Sequence, residues 1–415
     1  MNTVGLSLHQ APPFKVIVPF FIASLLSGLG VAWLLGVSTP DQIMTSGSWQ
    51  SLALLHGVTL GGMGFAMLGA LLQMLPVMGG IVIASPLPKG RALFILWGMG
   101  GVMLLLGLSQ GWMGVLGGAA VFLAVALVVI GWSILFPLWQ QSIGMPTIRA
   151  MGFALISLII GGTIGVAILG SLHSDGGLLT PLWLGLHRTW MLFGWVFLLL
   201  IGVSYQIIPM FYVSPSYHQE IQKKMTMVIL GVMLLETSLQ CFDTPLILGQ
   251  ILLAGCVIVW GGMTLTLLSR RKRASRDTTL FYWYGGVSLI ILSALLWIVT
   301  VTTGWGDDYL LGVMALGGCV AIIRGMMYKI VPFMTWFHLT NQGFFEAPTM
   351  KEMINAQWAM RELWCYGIAL LSLLTLPWHG LPFLCGGLLG VSFSLLLYNI
   401  AQPLFIYKSM MGSKR

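Results

Sequence analysis

The sequence consists of long apolar stretches separated by short polar segments. The stretches hold about 20 residues or more, and a helix of that length, rising about 1.5 Å per residue, crosses about 30 Å of hydrocarbon. Because polar residues do not alternate with apolar ones, the pattern favours helices over the strands of a membrane β-barrel. We predict about twelve membrane spans, at residues 14–36, 50–78, 91–108, 112–137, 150–171, 181–212, 225–241, 245–268, 279–303, 309–337, 358–377 and 381–405.

The composition of the 415 residues agrees with this pattern. Charged residues make up 7% and hydrophobic residues 58%, and the mean hydropathy is +0.94. A soluble domain carries about 25% charged residues, so a water-soluble globule and a disordered chain are both excluded. The five cysteines form no CxxC pair, which argues against a disulfide framework or a zinc site. We therefore predict an all-α polytopic membrane protein with a single membrane domain over residues 1–415.

The basic residues predict the orientation of the spans. If the N-terminus is cytoplasmic, sixteen of the nineteen lysines and arginines fall in cytoplasmic segments, and the opposite loops hold five aspartates and no cation. The three remaining cations, Arg188, Arg324 and Lys329, lie inside spans. Since cytoplasmic loops of membrane proteins are enriched in lysine and arginine, both termini are expected in the cytoplasm.

Three even-numbered spans share a motif. When the second, sixth and tenth spans are aligned on a proline, glycines recur seven and fifteen residues before it. The shared positions are Pro76, Pro209 and Pro332; Gly69, Gly202 and Gly325; and Gly61, Gly194 and Gly317. Glycines at this spacing mark a face where another helix approaches closely, and a proline is tolerated where a span ends. The motif predicts three parallel four-helix repeats, at about residues 1–139, 140–268 and 269–415, around a pseudo-three-fold axis.

The same spans resemble those of a known family. The segments from His56-Gly57-Val58 through Gln73-Met74-Leu75-Pro76, from His187 through Gly202-Val203-Ser204-Tyr205-Gln206, and Tyr328-Lys329-Ile330-Val331-Pro332-Phe333 are similar to bacterial membrane proteins like subunit I of the heme-copper oxidases. The nitric-oxide-response family NnrS is a non-catalytic branch of this group. The resemblance covers nearly the whole chain as topology and is specific only in the three repeated spans.

The resemblance implies a bacterial inner-membrane protein that binds heme b and serves respiratory or nitric-oxide-related physiology. It implies an electron-transfer or oligomeric partner without identifying one. The chain departs from a true oxidase, because the seventh span holds no histidine for a copper site and Leu310-Leu311-Gly312 stands where the alignment would place His-x-His. Oxygen reduction is therefore not expected, and whether the protein is an enzyme at all stays open.

Two histidines are the candidate cofactor ligands. His56 and His187 stand five and seven residues before the earlier shared glycine of their spans, near the predicted periplasmic side. Positions two apart on a helix face opposite ways, so the two could meet as axial ligands of one heme if neighbouring repeats face each other. Arg188 is placed to bind heme propionates. The alternatives are that both histidines bind a metal ion such as copper, or that they only pack between helices.

Other polar residues inside the spans suggest a second class of function. Glu236 and Arg324 are predicted to form a buried ion pair, since either charge alone would be costly in the membrane. Lys329, Gln73 and Gln206 occupy one repeat position, where we expect Lys329 to reach the interface and the glutamines to tie helices together. These residues leave open a transporter or permease for a small molecule or an ion, with the same fold and no heme.

The orientation is testable with reporter fusions. A reporter fused near Asp307 should behave as periplasmic, and one fused near Lys272 as cytoplasmic, because the loop cations are retained on the cytoplasmic side. Alkaline phosphatase and green fluorescent protein fusions at the two sites provide the measurement. Reversed results at both sites would overturn the span assignment.

Overall fold

The computed structural model describes residues 11–141, 144–172, 177–242, 246–272 and 277–412. These residues form helices and no strands. The long helices are α1 (Phe14–Val37), α2 (Trp49–Gly79), α3 (Pro86–Gln110), α4 (Met113–Gln140), α5 (Pro146–Ser171), α6 (Pro181–Tyr212), α7 (Gln219–Cys241), α8 (Ile247–Ser269), α9 (Thr278–Thr303), α10 (Asp308–Asn341), α11 (Ala356–Leu374) and α12 (Pro382–Gly412). Two short helices, Pro40–Met44 and Leu376–His379, lie in connections.

Each predicted span corresponds to one long helix, with ends that differ by a few residues. Eleven of these helices, among the described residues, are long and apolar enough to cross a membrane. The chain is therefore a multi-pass membrane protein. The remaining one, α11, has 19 residues and is less apolar because it carries Arg361 and Glu362. The count of about twelve spans thus becomes twelve helices, of which eleven meet the hydropathy expected of a span.

The chain divides into two compact units, which are described separately. The first unit comprises Met1–Pro12, Leu71–Ala274 and Ile290–Asp307; the second comprises Pro13–Ala70, Ser275–Leu289 and Asp308–Arg415. In both units, large apolar side chains stay on the surface: Val128 is 70% exposed in the first and Phe405 is 69% exposed in the second. Such surface is unfavourable in water and suits a lipid environment.

The motif prolines lie inside their helices, which corrects the expectation that they end the spans. Helix α2 continues three residues past Pro76, α6 three past Pro209, and α10 nine past Pro332. A proline removes one backbone hydrogen bond, and near a helix end that loss is small. Helix α10 accommodates the loss in its interior, because its flanking residues are buried against neighbouring helices.

Helices α2 and α6 each contain a π-helical stretch of eight residues. These stretches run over Gly57–Gly64 in α2 and Trp190–Phe197 in α6, and both end twelve residues before the motif proline. The wider turn of a π-helix displaces backbone carbonyls from their usual partners. In α2 the hydroxyl of Ser24, from α1, donates to the carbonyl oxygen of Gly62 at 2.6 Å. The corresponding part of α10 is α-helical.

The later motif glycine, seven residues before the proline, allows a close approach of another helix to each of α2, α6 and α10. A side-chain carbon added at Gly69 would lie 2.8 Å from Phe20 Cβ, one at Gly202 would lie 3.0 Å from Ala150 Cβ, and one at Gly325 would lie 2.8 Å from Tyr282 Cβ. In each case the next backbone group is the carbonyl three residues earlier on the same partner helix, that of Ile17, Thr147 or Thr279. The partners belong to α1, α5 and α9, so the three helix pairs dock in the same register.

The earlier motif glycine, fifteen residues before the proline, packs on the same partner helix in α2 and α6 but not in α10. Gly61 faces Ser27 on α1, and Gly194 faces Ser157 on α5; each serine lies seven residues after the partner of the later glycine. Gly317 instead faces Leu370 on α11. The third helix pair therefore separates from the common pattern at this point.

A substitution at Gly202 tests the close approach. Gly202→Leu should lower the free energy of unfolding by about 1–3 kcal/mol, because the added side chain collides with Ala150 Cβ and the backbone of α5. Thermal unfolding of the detergent-purified protein measures the change.

Gly231→Leu is the matched control. Gly231 is exposed on α7, and a side-chain carbon placed there meets nothing within 4 Å, so its stability should be nearly unchanged. Equal stability of the two variants would contradict the helix contact at Gly202.

Candidate functional site

His56 is the last residue before the π-helical stretch of α2. Its Nδ1 lies 2.8 Å from the carbonyl oxygen of Leu52, one turn earlier on the same helix. A carbonyl can only accept, so Nδ1 carries the proton and Nε2 carries the lone pair. The ring is half-buried. The backbone bond thereby fixes the tautomer in which Nε2 can bind a metal.

His187 lies three residues before the π-helical stretch of α6 begins at Trp190, and its backbone contact is with another helix. Its Nδ1 lies 2.8 Å from the carbonyl oxygen of Gly161 on α5. The ring rests on Gly165, where an added side-chain carbon would lie 2.7 Å from Cε1. A glycine is needed there because any larger residue would displace the ring. His187 therefore also engages Nδ1 with a backbone carbonyl.

Each histidine thus has a backbone acceptor for one ring nitrogen, as a ligand histidine requires. His56 belongs to the second unit and His187 to the first. Arg188 is exposed on α6. In the described ranges, no group of three or more histidine, cysteine or acidic side chains could hold a metal ion.

The second unit contains a buried ion pair. The Nε and Nη2 atoms of Arg324 on α10 donate to Glu362 Oε1 on α11 at 3.1 and 2.7 Å. Arg324 is 1% exposed and Glu362 is fully buried. Nη2 also donates to the hydroxyl of Ser392 on α12 at 2.6 Å. One guanidinium therefore joins three helices.

Tyrosines complete the coordination of the carboxylate. Tyr282, on α9, donates to Glu362 Oε2 at 2.5 Å, and Tyr328 donates to the same oxygen at 3.0 Å. Asn399 donates to the Tyr328 hydroxyl at 2.8 Å. Both oxygens of Glu362 are thus hydrogen-bonded, as a buried carboxylate requires. We call Arg324, Glu362, Tyr282, Tyr328, Ser392 and Asn399 the buried polar cluster.

One face of this cluster adjoins a cavity of about 330 Å³, whose lining lies within the second unit. Arg324 is part of the lining, and its guanidinium carbon lies 4.3 Å from the ring centres of both Tyr366 and Phe393. Stacking on two rings stabilises the cation beyond its ion pair. Among the described residues, Arg324 Nη1 has no hydrogen-bond partner.

The expected pair between Glu236 and Arg324 is wrong, because the acid that binds Arg324 is Glu362. Glu236, in the first unit, instead accepts from Gln240 Nε2 at 3.2 Å, one turn along α7. Glu236 is also not the only acid buried in a span. Sequence reasoning missed Glu362 because it follows Arg361 near the start of α11, where charged residues are expected. Neighbouring residues point to different sides of a helix, so Arg361 is exposed while Glu362 is buried.

The remaining polar residues have separate environments. Lys329, in α10, forms an ion pair with Asp277, just before α9. Burial opposes ionisation of Asp277, but the Lys329 charge and hydrogen bonds from Lys329 and Thr279 outweigh it and lower its pKa.

Of the two glutamines expected to tie helices together, Gln73 forms no such bond among the described residues. Gln73 is buried, and neither side-chain polar atom finds a hydrogen-bond partner in the described part of the chain. Gln206 is half-buried on α6.

Comparison with known proteins adds no relative. No family model matches the sequence, and no curated protein is significantly similar to it.

Neutralising the acid of the buried ion pair should have a large effect on stability. Glu362→Gln should lower the free energy of unfolding by about 3–5 kcal/mol, because the Arg324 charge would stay buried without a counter-charge. Thermal unfolding in detergent measures the loss. Arg324→Leu combined with Glu362→Leu should cost less than the two single losses added together, because both charges are removed.

Glu220→Gln is the control. Glu220 is exposed on α7 and pairs with Lys223 and Lys224 at the surface, so its loss should change stability by no more than about 1 kcal/mol. A Glu362→Gln protein as stable as this control would show that the buried pair does not hold the helices.

Proposed function

We propose that the protein is a heme-binding membrane protein resembling a non-catalytic subunit I of the heme-copper oxidases, in the manner of NnrS. The observation that carries the proposal is the matched setting of His56 and His187. His56 directly precedes a π-helical stretch and His187 lies three residues before one; both stretches end twelve residues before the motif proline, and each histidine has Nδ1 bound to a backbone carbonyl. π-Helical stretches are frequent at functional sites.

The proposal includes an architecture of three parallel four-helix repeats. Its support is the common register in which Gly69, Gly202 and Gly325 pack on α1, α5 and α9. The coincident π-helical stretches of α2 and α6 support it independently. Within such repeats, helices α2, α6 and α10 hold equivalent positions.

The two histidines fit the chemistry of heme ligation. Neutral imidazole with Nδ1 engaged is the usual ligand form, and Nε2 is then the donor atom. When bound, heme would supply one-electron transfer or the binding of a small gas. The chain would supply His56 and His187 as axial ligands, and Arg188 would bind a propionate. Copper held by the same histidines is the alternative cofactor.

The setting of this function would be the bacterial inner membrane, with both termini in the cytoplasm. The distribution of lysine and arginine supports the orientation. The exposed apolar helix faces support the lipid bilayer as the surrounding medium. A respiratory or nitric-oxide-related role, with an electron-transfer or oligomeric partner, follows from the resemblance alone.

Transport of a small molecule or an ion is the second candidate function. The cavity beside Arg324 in the second unit favours it, because a buried charge at the wall of a cavity is typical of ion and substrate pathways. Uptake by proteoliposomes that contain protein without heme would favour this candidate over the first.

A heme spectrum tests the first candidate. The purified protein should show the reduced-minus-oxidised spectrum of a low-spin heme b, and His56→Ala and His187→Ala should each abolish it by removing an axial ligand. Expression should be retained in both variants. Copper content, measured on the same samples by mass spectrometry, distinguishes the alternative cofactor.

His218→Ala is the matched control, since His218 is exposed in the connection between α6 and α7 and should leave the spectrum unchanged. Full heme content in both His56→Ala and His187→Ala would rule out the ligand assignment.

A further inference from the structure

The cavity of the second unit is largely apolar, and its polar lining consists of Arg324, Asp308 and a few hydroxyl side chains. Its lining comes from α1, α2, α10, α11 and α12 together with the connection after α1. Leucine, valine, isoleucine and methionine side chains dominate, as at Leu25, Val313 and Leu389. A volume of about 330 Å³ lies within the range of small-molecule sites.

Three hydroxyl groups that line the cavity donate hydrogen bonds to backbone carbonyls. Tyr366 donates to Gly317 at 2.6 Å, Ser24 to Gly62 at 2.6 Å, and Tyr309 to Leu373 at 2.8 Å. These groups hold the walls in place, and none of these protons is left to fix a ligand. The hydroxyls can still accept a hydrogen bond.

Arg324 differs from them because one of its nitrogens is unengaged. Nε and Nη2 lie on the edge of the guanidinium that faces Glu362, so Nη1 lies on the opposite edge. Nη1 is buried and finds no hydrogen-bond partner among the described residues, although it carries two N–H donors. Buried donors are normally satisfied, so Nη1 calls for an acceptor, which a water molecule or a ligand could supply.

Charge decides which acceptor fits. Glu362 already neutralises Arg324, and its own oxygens are hydrogen-bonded by Arg324, Tyr282 and Tyr328. A second carboxylate would lose its hydration and would meet a site with no net positive charge. A neutral carbonyl oxygen can accept from Nη1 without either penalty.

We propose that this cavity binds an elongated, largely apolar molecule with one neutral carbonyl oxygen. The carbonyl accepts a hydrogen bond from Arg324 Nη1, and the hydrocarbon part lies along the leucine and valine walls of α1, α10 and α12. His56 is not itself among the lining residues, but its neighbours Leu55 and Gly57 are, and so is Leu52, whose carbonyl accepts from it.

Photolabelling tests the proposal on the full-length protein in phosphatidylcholine nanodiscs. The probe is a straight-chain methyl ketone of about twelve carbons that carries an alkyl diazirine in its tail. After irradiation, peptide mass spectrometry should place the label on cavity-lining segments of α1, α10 or α12. Unlabelled dodecan-2-one should compete at least about tenfold better than dodecane or dodecanoate, which is the gain expected from one hydrogen bond to a charged donor.

Two matched variants test the location. Gly312 lines the cavity and is half-buried, and a side-chain carbon there meets nothing within 4 Å, so Gly312→Phe should fill the space and reduce labelling about tenfold or more. Gly387→Phe is the control, because Gly387 is exposed on α12 and has the same open surroundings. It should label like the unchanged protein. Val313→Trp fills the same cavity and replaces Gly312→Phe if that variant does not fold.

The outcomes separate the parts of the proposal. Equal labelling of Gly312→Phe and Gly387→Phe would overturn the site. Equal competition by dodecane would overturn the carbonyl anchor, and stronger competition by dodecanoate would overturn the neutral class of ligand. The heme spectrum is measured on the unchanged protein, so failure of the labelling experiment leaves the histidine proposal standing.

Discussion

The second unit depends on the neutralisation of one buried cation. Arg324 can stay in the protein interior only because Glu362 lies within hydrogen-bond distance of it, and each of these charges alone would carry a penalty of several kcal/mol. Since Arg324, Glu362 and Ser392 stand on three helices, the bond geometry fixes the rotation of α10, α11 and α12 about their axes. Tyr282 brings α9 into the same arrangement. These hydrogen bonds thus fix helix rotations that apolar packing alone would leave undetermined.

Close helix contacts supply the rest of the specificity. Lipid provides no hydrophobic drive for helices to associate, so contact area and small residues decide which faces meet. The glycines that face Phe20, Ala150 and Tyr282 bring backbones together without a side chain between them. The sequence motif identified these glycines correctly as contact positions. It was less informative about the prolines, because a proline late in a long helix costs only one hydrogen bond and does not force the helix to end.

The limits of sequence reasoning follow from the range of each interaction. The helices were predictable to within a few residues because membrane thickness fixes the length of an apolar stretch. The partner of Arg324 was not, because it lies 38 residues away on a helix whose charges look like those of a loop. Nor were the backbone acceptors of His56 and His187, because Leu52 and Gly161 carry no polar side chain that could reveal them. The cavity is a property of packed helices and has no local signal.

The three motif helices show how one scaffold position can take different chemistry. Twenty residues before the motif proline, α2 has His56 at the start of a π-helical stretch. The corresponding residue of α10 is Gly312, in continuous α-helix, and it lines the cavity instead of filling it. Eight residues before the proline, α10 has Arg324 where α2 has Leu68 and α6 has Ile201. The absence of a side chain at Gly312 leaves open space. Arg324, twelve residues later, places a hydrogen-bond donor at the wall of that space. The cavity is lined by both α2 and α10, including Leu55 and Gly57 on either side of His56, so these two motif helices border one space with different side chains.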